Sequence, residues 1–417
     1  MTRPAGTRLN KHSKTCALVL DGSEVKARLM IERRETKMPV HVDWVRFTAL
    51  VRNAPTPEVD VLFPEPVELL SLAEQDESER RKKRLRKMLA ELPDPQYAPG
   101  GQALELAEKV ASILGDEFVV VSELRKGHDF YAKRISIERH GSEVGWVGFG
   151  ASGDSPRQKA QSQTLHVNLY GTACTFAKAG WRDAIADLVD ELDAKITRVD
   201  LALDFFDGLA GGMRRIKADY EHGLMDCGGK RPKCNMVGDW SNGPVEGKGR
   251  SFYIGSKEAG KQTNVYEKGH QLFGEKDASG WIRAELRFGN KLRVLPSDLL
   301  RYPASGFAGA SDWHAALLNE AGATVDPFKV PCEKRLAAET IEAEVTRNVR
   351  WVRDVAGASL SLAFQYLGEN AFLEIVNPKA VPGRLRRFSR DEIRCAYEKA
   401  HGRVYRPAGT GQPCVTA

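Results

Sequence analysis

"ITRVDLALDFFDG", residues 196 to 208, decides how the rest of this 417-residue chain is read. Successive side chains of a strand point to opposite faces. Val199, Leu201, Leu203 and Phe205 therefore take one face and leave Arg198, Asp200, Ala202 and Asp204 on the other. Aspartate is disfavoured in strands, so two at i and i+4 of one face call for a reason. The same subtraction in "IRAELRF" (282–288) sets Ile282, Ala284, Leu286 and Phe288 against Arg283, Glu285 and Arg287. In "LHVNLY" (165–170) Leu165, Val167 and Leu169 oppose His166, Asn168 and Tyr170, and in "NVYEK" (264–268) Asn264, Tyr266 and Lys268 share a face. If the apolar faces all pack on helices, the polar faces form one surface bearing three carboxylates, a phenol and several cations. Tyr253 and Tyr170 face the same side in this register.

Around these strands the pattern mixes strands and helices without βαβ alternation. This predicts an α+β fold, a central antiparallel sheet with helices packed on one face, plus a helical C-terminal unit. "VHVDWVRFTALV" (40–51) reads as the first strand, and "ALELAEKVASIL" (103–114) and "WRDAIADLVDELDA" (181–194) read as helices. Residues 1–37 are polar and basic and read as a flexible arm. Residues 38–300 form the main domain, with a basic helical insertion at about 55–100 that carries "ERRKKRLRK" (79–87), and residues 301–417 form the helical unit. No apolar run approaches the roughly 18 residues of a membrane helix, and the N-terminus lacks a signal-peptide core, so a cytoplasmic protein is expected. The seven cysteines are scattered, and "DCGGKRPKC" (226–234) fits no zinc or redox spacing. A net charge of +6 and basic clusters at 79–87, 246–250 and 383–390 lean towards an anionic partner.

The carboxylates on the polar face need cations or a metal to offset their repulsion, and hard divalent ions take oxygen ligands from such sets. A tyrosine with a pKa of about 10 is a poor nucleophile unless a neighbouring positive charge lowers the cost of deprotonation. Lys268, two residues from Tyr266 on the same face, can supply that charge.

The ordered set "VDWVRFTA", "LHVNLYGTAC", "ITRVDLALDFFDG", "SFYIGSKEAGKQTNVYEKG" and "WIRAELRFGNK" resembles the replication initiation factor family (Rep_trans) of rolling-circle plasmids and filamentous phages. The resemblance covers about residues 38–300. It implies a DNA nicking and joining endonuclease that forms a covalent 5′-phosphotyrosine and leaves a free 3′-hydroxyl for the host polymerase. The family's catalytic tyrosine carries over to Tyr266, assisted by Lys268, and its acidic metal ligands to Asp200, Asp204 and Glu285 with Mg²⁺ or Mn²⁺. Arg198, Arg283, Arg287, Lys257 and Lys261 are the expected DNA contacts. The paired-histidine ligand motif of a related superfamily is absent, since "HVN" offers His166 alone. His166 and Tyr253 are secondary candidates, as ligand or DNA contact and as competing nucleophile. The expected partners are single-stranded or supercoiled origin DNA, host helicase and polymerase in a bacterial cell, and a second copy in a homodimer. The competing readings are a non-catalytic DNA-binding regulator on the same fold and a metal nuclease that uses water.

Overall fold

The computed structural model describes residues 22–55, 76–77, 79–84, 87, 99–153, 156–241, 249–273, 280–376 and 381–405. Most of the basic insertion expected at 55–100 lies outside these residues; of its charge run, residues 79–84 are helical.

The chain divides into two compact units. The first runs to residue 330 apart from 291–293, which belong with the second. Within the first unit ten strands form one sheet: β1 (Val40–Leu50), β2 (Phe118–Lys126), β3 (Tyr131–Arg139), β4 (Ser142–Ala151), β5 (Thr164–Leu169), β6 (Lys195–Phe205), β7 (Cys234–Val237), β8 (Ser251–Ser256), β9 (Lys261–Glu267) and β10 (Ile282–Gly289). Their order is β2-β3-β4-β5-β1-β6-β10-β9-β8-β7, and every neighbouring pair is antiparallel. The α+β reading therefore holds. The strands carrying the predicted polar face sit in the middle, where both neighbours pin their register.

The apolar sides of β1, β6 and β10 supply Val45, Phe47, Val199, Leu201, Leu203, Ala284, Leu286 and Phe288 to one buried core. Helix Pro99–Leu114 places Leu106, Val110 and Leu114 in the same core. Its proline stands in the first turn, where the missing N–H costs nothing. Helix Trp181–Glu191 adds Ile185, Leu188 and Val189. Full burial of a side chain such as Leu or Phe contributes roughly 1.5–3 kcal/mol, so this shared core outweighs any single polar contact.

Two boundaries differ from the sequence reading. Helix Gly22–Thr36 stands in the segment expected to be an arm, and it buries Val25 and Leu29. Only two buried apolar positions over four turns leave too sparse a period to read. Helices Pro303–Ala308 and Asp312–Glu320, expected in the C-terminal unit, belong to the sheet unit, because Phe307, Leu317 and Leu318 join its core. The second unit has its own small core, in which Ile341, Val345 and Val349 of helix Lys334–Trp351 pack with Ala396, Ala400 and Val404 of helix Arg390–Tyr405.

Candidate active site on the polar sheet face

The register sorts the polar face into rows that run across the strands. The first row aligns Asp204 (β6), Arg283 (β10), Tyr266 (β9) and Ser251 (β8). The next aligns His41 (β1), Ala202, Glu285, Asn264 and Tyr253, and the third Trp44, Asp200, Arg287, Gln262 and Gly255. Rows lie two residues apart, about 7 Å along the strands. The alternation read from sequence thus sets Asp200, Asp204, Tyr266, Arg283, Glu285 and Arg287 on one face, with Tyr253 beside Asn264.

Arg283 is 1% exposed and holds the first row together. Its Nε and Nη2 donate to the two oxygens of Asp204 at 2.8 and 2.9 Å, and Nη1 donates to Asp43 at 2.7 Å. Trp281 Nε1 adds a third donor to Asp204 at 2.6 Å. Burial works against ionising Asp204, but Arg283 and His41 overcome it and hold its carboxyl below the usual range. Asp43 behaves likewise: burial opposes its charge, and Arg283 with His41 wins.

Asp200 is equally engaged. Arg198 donates to both its oxygens, and Arg287 reaches it at 3.1–3.2 Å. Trp44 stacks under the Arg198 guanidinium, 4.3 Å from ring to charge. The expected triad of Asp200, Asp204 and Glu285 is therefore not gathered about one point. Two of its members are tied to arginines, and among the described residues no group of three or more His, Cys, Asp or Glu is arranged to hold a metal ion.

Glu285 differs. It faces Ala202, whose methyl leaves room beside it, and its contacts are long: Arg287 at 3.4 Å and the Tyr266 hydroxyl, which donates at 3.3 Å. Burial, followed by the charges of Asp43 and Asp200, raises its carboxyl to about 7. Burial likewise lifts the Tyr266 phenol well above its ordinary value; Glu285, Asp43 and Asp204 push the same way, against Arg283. Lys268 stands 5.7 Å from the Tyr266 ring centre, and burial together with Arg283 lowers its ammonium to about 8. Glu267, between them in sequence, turns the other way: it accepts from the Arg250 backbone N–H and guanidinium, both at 2.7 Å, and anchors the end of β9.

Sequence reading placed β1 but missed its share of the site. His41, Asp43, Trp44 and Arg46 all reach the polar face because the register shifts between Val42 and Trp44. A bulge adds one residue and flips the alternation, so period-two subtraction of "VHVDWVRF" finds no clean face. The unusual density of His, Asp and Trp there was the available signal.

The remaining candidates lie along the same face or at its edge. Arg198, Arg287, Lys257, Lys261 and His166 line one cavity with Arg46, whereas Arg283 is withdrawn into the first row. Tyr170 donates to Glu143 at 3.2 Å, and burial with Glu143 raises its phenol to about 12. Cys227 and Cys234 are free thiols, with Cys234 exposed in β7.

A ten-stranded antiparallel sheet carrying a buried phenol among arginine-neutralised carboxylates defines the architecture. Residues 194–376 match the family model described as Replication initiation factor (Rep_trans), which bears out the resemblance read from the sequence. That span begins at β6 and includes Tyr266, Glu285 and both aspartates of "RVDLALD". Among solved structures, the rolling circle replication initiator protein from Geobacillus stearothermophilus matches over 67% of this chain and 84% of its own, at 18% identity and a TM-score of 0.39. No curated protein matches.

Proposed function

We propose that this protein initiates rolling-circle replication by nicking and rejoining one DNA strand, with Tyr266 as the nucleophile. The observation that carries the reading is the Tyr266–Glu285 contact on a face otherwise neutralised by arginine. The phenol points at the one carboxylate of the central rows whose raised pKa fits it to accept a proton near neutral pH.

In the proposed step Tyr266 Oη attacks the phosphorus while Glu285 Oε2 takes the phenolic proton. The P–O3′ bond breaks, the 3′-oxygen leaves as a hydroxyl after taking a proton from solvent, and the 5′-phosphate stays on the tyrosine. Rejoining is the reverse attack by a 3′-hydroxyl, so the phosphodiester bond energy is conserved. Arg283 and Lys268 offset the charge on the phenolate. Tyr253, one row from Asp204 and beside Asn264, is the competing nucleophile, but neither of its cross-strand neighbours, Asn264 and Asn235, is a carboxylate.

A divalent cation, Mg²⁺ or Mn²⁺, is the cofactor proposed for this chemistry. Asp200 and Asp204 do not suit it, because their oxygens are taken by guanidinium groups. Glu285 suits it better, because its own contacts are long and the charges of Asp43 and Asp200 crowd it. Magnesium is commonly held by one or two carboxylates plus substrate phosphates, and it would polarise the phosphate under attack.

The test is cleavage of a single-stranded origin oligonucleotide with Mn²⁺, scored on a denaturing gel for a protein–DNA adduct. Wild type and Tyr253→Phe should form the adduct and Tyr266→Phe should not. Cleavage retained by Tyr266→Phe without an adduct would mean a nuclease that uses water. DNA binding without any cleavage by wild type would mean a regulator.

A further inference from the structure

Beyond the third row, on the same face as Tyr266, the sheet opens into a cavity of about 560 Å³. Arg46, Arg198, Arg287, Lys257 and Lys261 line it, and Asp129 is the only carboxylate among its described lining residues. Asp129 is itself paired with Arg46 at 2.9 Å, Arg198 and Arg287 share Asp200, and Lys261 Nζ donates to the Ala310 carbonyl, so the lining keeps a net positive charge. An anion is the fitting occupant on charge alone.

Its floor is aromatic. Tyr131 and His166 lie nearly parallel, 5.6 Å apart at 14°, and Trp146 backs the imidazole at 5.4 Å. His166 is 7% exposed. Its Nδ1 is engaged by the Thr48 hydroxyl at 2.8 Å, while its Nε2 has no hydrogen-bond partner among the described residues. Burial and Arg46 lower the imidazole to about 4, so it is neutral near pH 7 and can offer a hydrogen bond but no charge. A buried polar atom without a partner carries a cost of roughly 1–3 kcal/mol that a ligand group can relieve.

Cations around the mouth and aromatic rings with an unsatisfied nitrogen below match the two halves of a nucleotide. Strand-tracking proteins combine these same features, a basic groove and aromatic platforms. We infer that this cavity seats one nucleotide of the bound single strand, with its phosphate among Arg198, Arg287 and Lys257 and its base towards His166 and Tyr131. Arg287 lies four residues along β10 from Arg283, which pairs with Tyr266, and Arg198 lies further along the face. The subsite is thus about 14–20 Å from the nucleophile at strand spacing, several nucleotides from the bond to be cut. It would hold the strand in register while Tyr266 reacts. The inference rests on the reading that this face takes a DNA strand.

The test uses the full-length protein and a fluorescein-labelled thymidine oligonucleotide carrying 5-iododeoxyuridine. Irradiation should cross-link peptides 127–133 or 160–178, which contain Tyr131 and His166. Cross-links confined to other peptides overturn the inference. In anisotropy titrations, Lys257→Gln, an exposed position, should weaken binding and reduce the log–log salt slope by about one. His166→Ala should weaken it about fivefold or more with the salt slope unchanged. Unchanged binding by Lys257→Gln, which removes no buried group, overturns the subsite even if His166→Ala fails to fold. An adduct at Tyr266 without cavity cross-links rejects the subsite alone; cavity cross-links without an adduct reject the nicking reading alone.

Discussion

Asp204 and Glu285 stand on adjacent strands of one sheet face, a row apart, and their surroundings are opposite. Asp204 receives a two-pronged guanidinium and an indole N–H, and its charge is held firmly. Glu285 faces an alanine and has only contacts of 3.3–3.4 Å, so its charge is resisted. The first arrangement is what a buried carboxylate needs to be structural: both oxygens are answered. The second leaves capacity unused beside a phenol, which is the mark of a group that meets something else during function. Two acids that look alike in sequence thus divide into a scaffold and a reactive pair.

The comparison can be broken most forcefully at the scaffold. Asp204→Ala leaves the Arg283 guanidinium, which is 1% exposed, without its main partner, and should cost about 3–5 kcal/mol in urea unfolding. A loss under about 1 kcal/mol would mean the cluster is not structural. The Glu285 side should respond in the other direction. Glu285→Gln removes a resisted charge, and at pH 8 without divalent ions it should stabilise the protein by about 1–3 kcal/mol while abolishing cleavage. DNA binding should persist, since fewer negative charges do not weaken phosphate contacts. Destabilisation at pH 8 would place Glu285 with Asp204.

The same carboxyl sets a pH dependence. Its folded value, about 7, lies above the ordinary 4.5, so the folded state binds the proton more tightly than the unfolded one. The contribution to stability is complete below about pH 4.5 and is lost as pH rises towards 7. Chemical denaturation of wild type and Glu285→Gln in metal-free buffer should give curves that diverge over this window in that direction. The smallest effect belongs to Arg198→Gln. Asp200 keeps Arg287, so unfolding should shift by about 1 kcal/mol, while single-stranded DNA affinity falls and its salt slope decreases by about one.

The central sheet was legible because its strands alternate cleanly. Val199, Leu201 and Leu203 against Asp200 and Asp204 fix a face without knowledge of any partner strand, and antiparallel neighbours then line the faces up. What alternation does not encode is which polar groups pair. Whether Asp204 meets a metal or Arg283 depends on cross-strand register, and "RAELR" placed a guanidinium opposite each aspartate, at Arg283–Asp204 and Arg287–Asp200. Asp43 was hidden by the bulge in β1. The helix over Gly22–Thr36 was hidden by its polar composition, since Val25 and Leu29 alone carry its burial. The cavity beside His166 arises from six segments of the chain meeting at one end of the face, a convergence no local pattern records.

The central claim is that the bond to DNA forms at Tyr266. Digestion of the trapped adduct with trypsin separates the rival phenols, because cleavage after Arg250, Lys257, Lys261 and Lys268 puts Tyr253 on "SFYIGSK" and Tyr266 on "QTNVYEK". Mass spectrometry should find the added nucleotide phosphate on residues 262–268. Nucleotide on residues 251–257, or on neither peptide, would contradict the account.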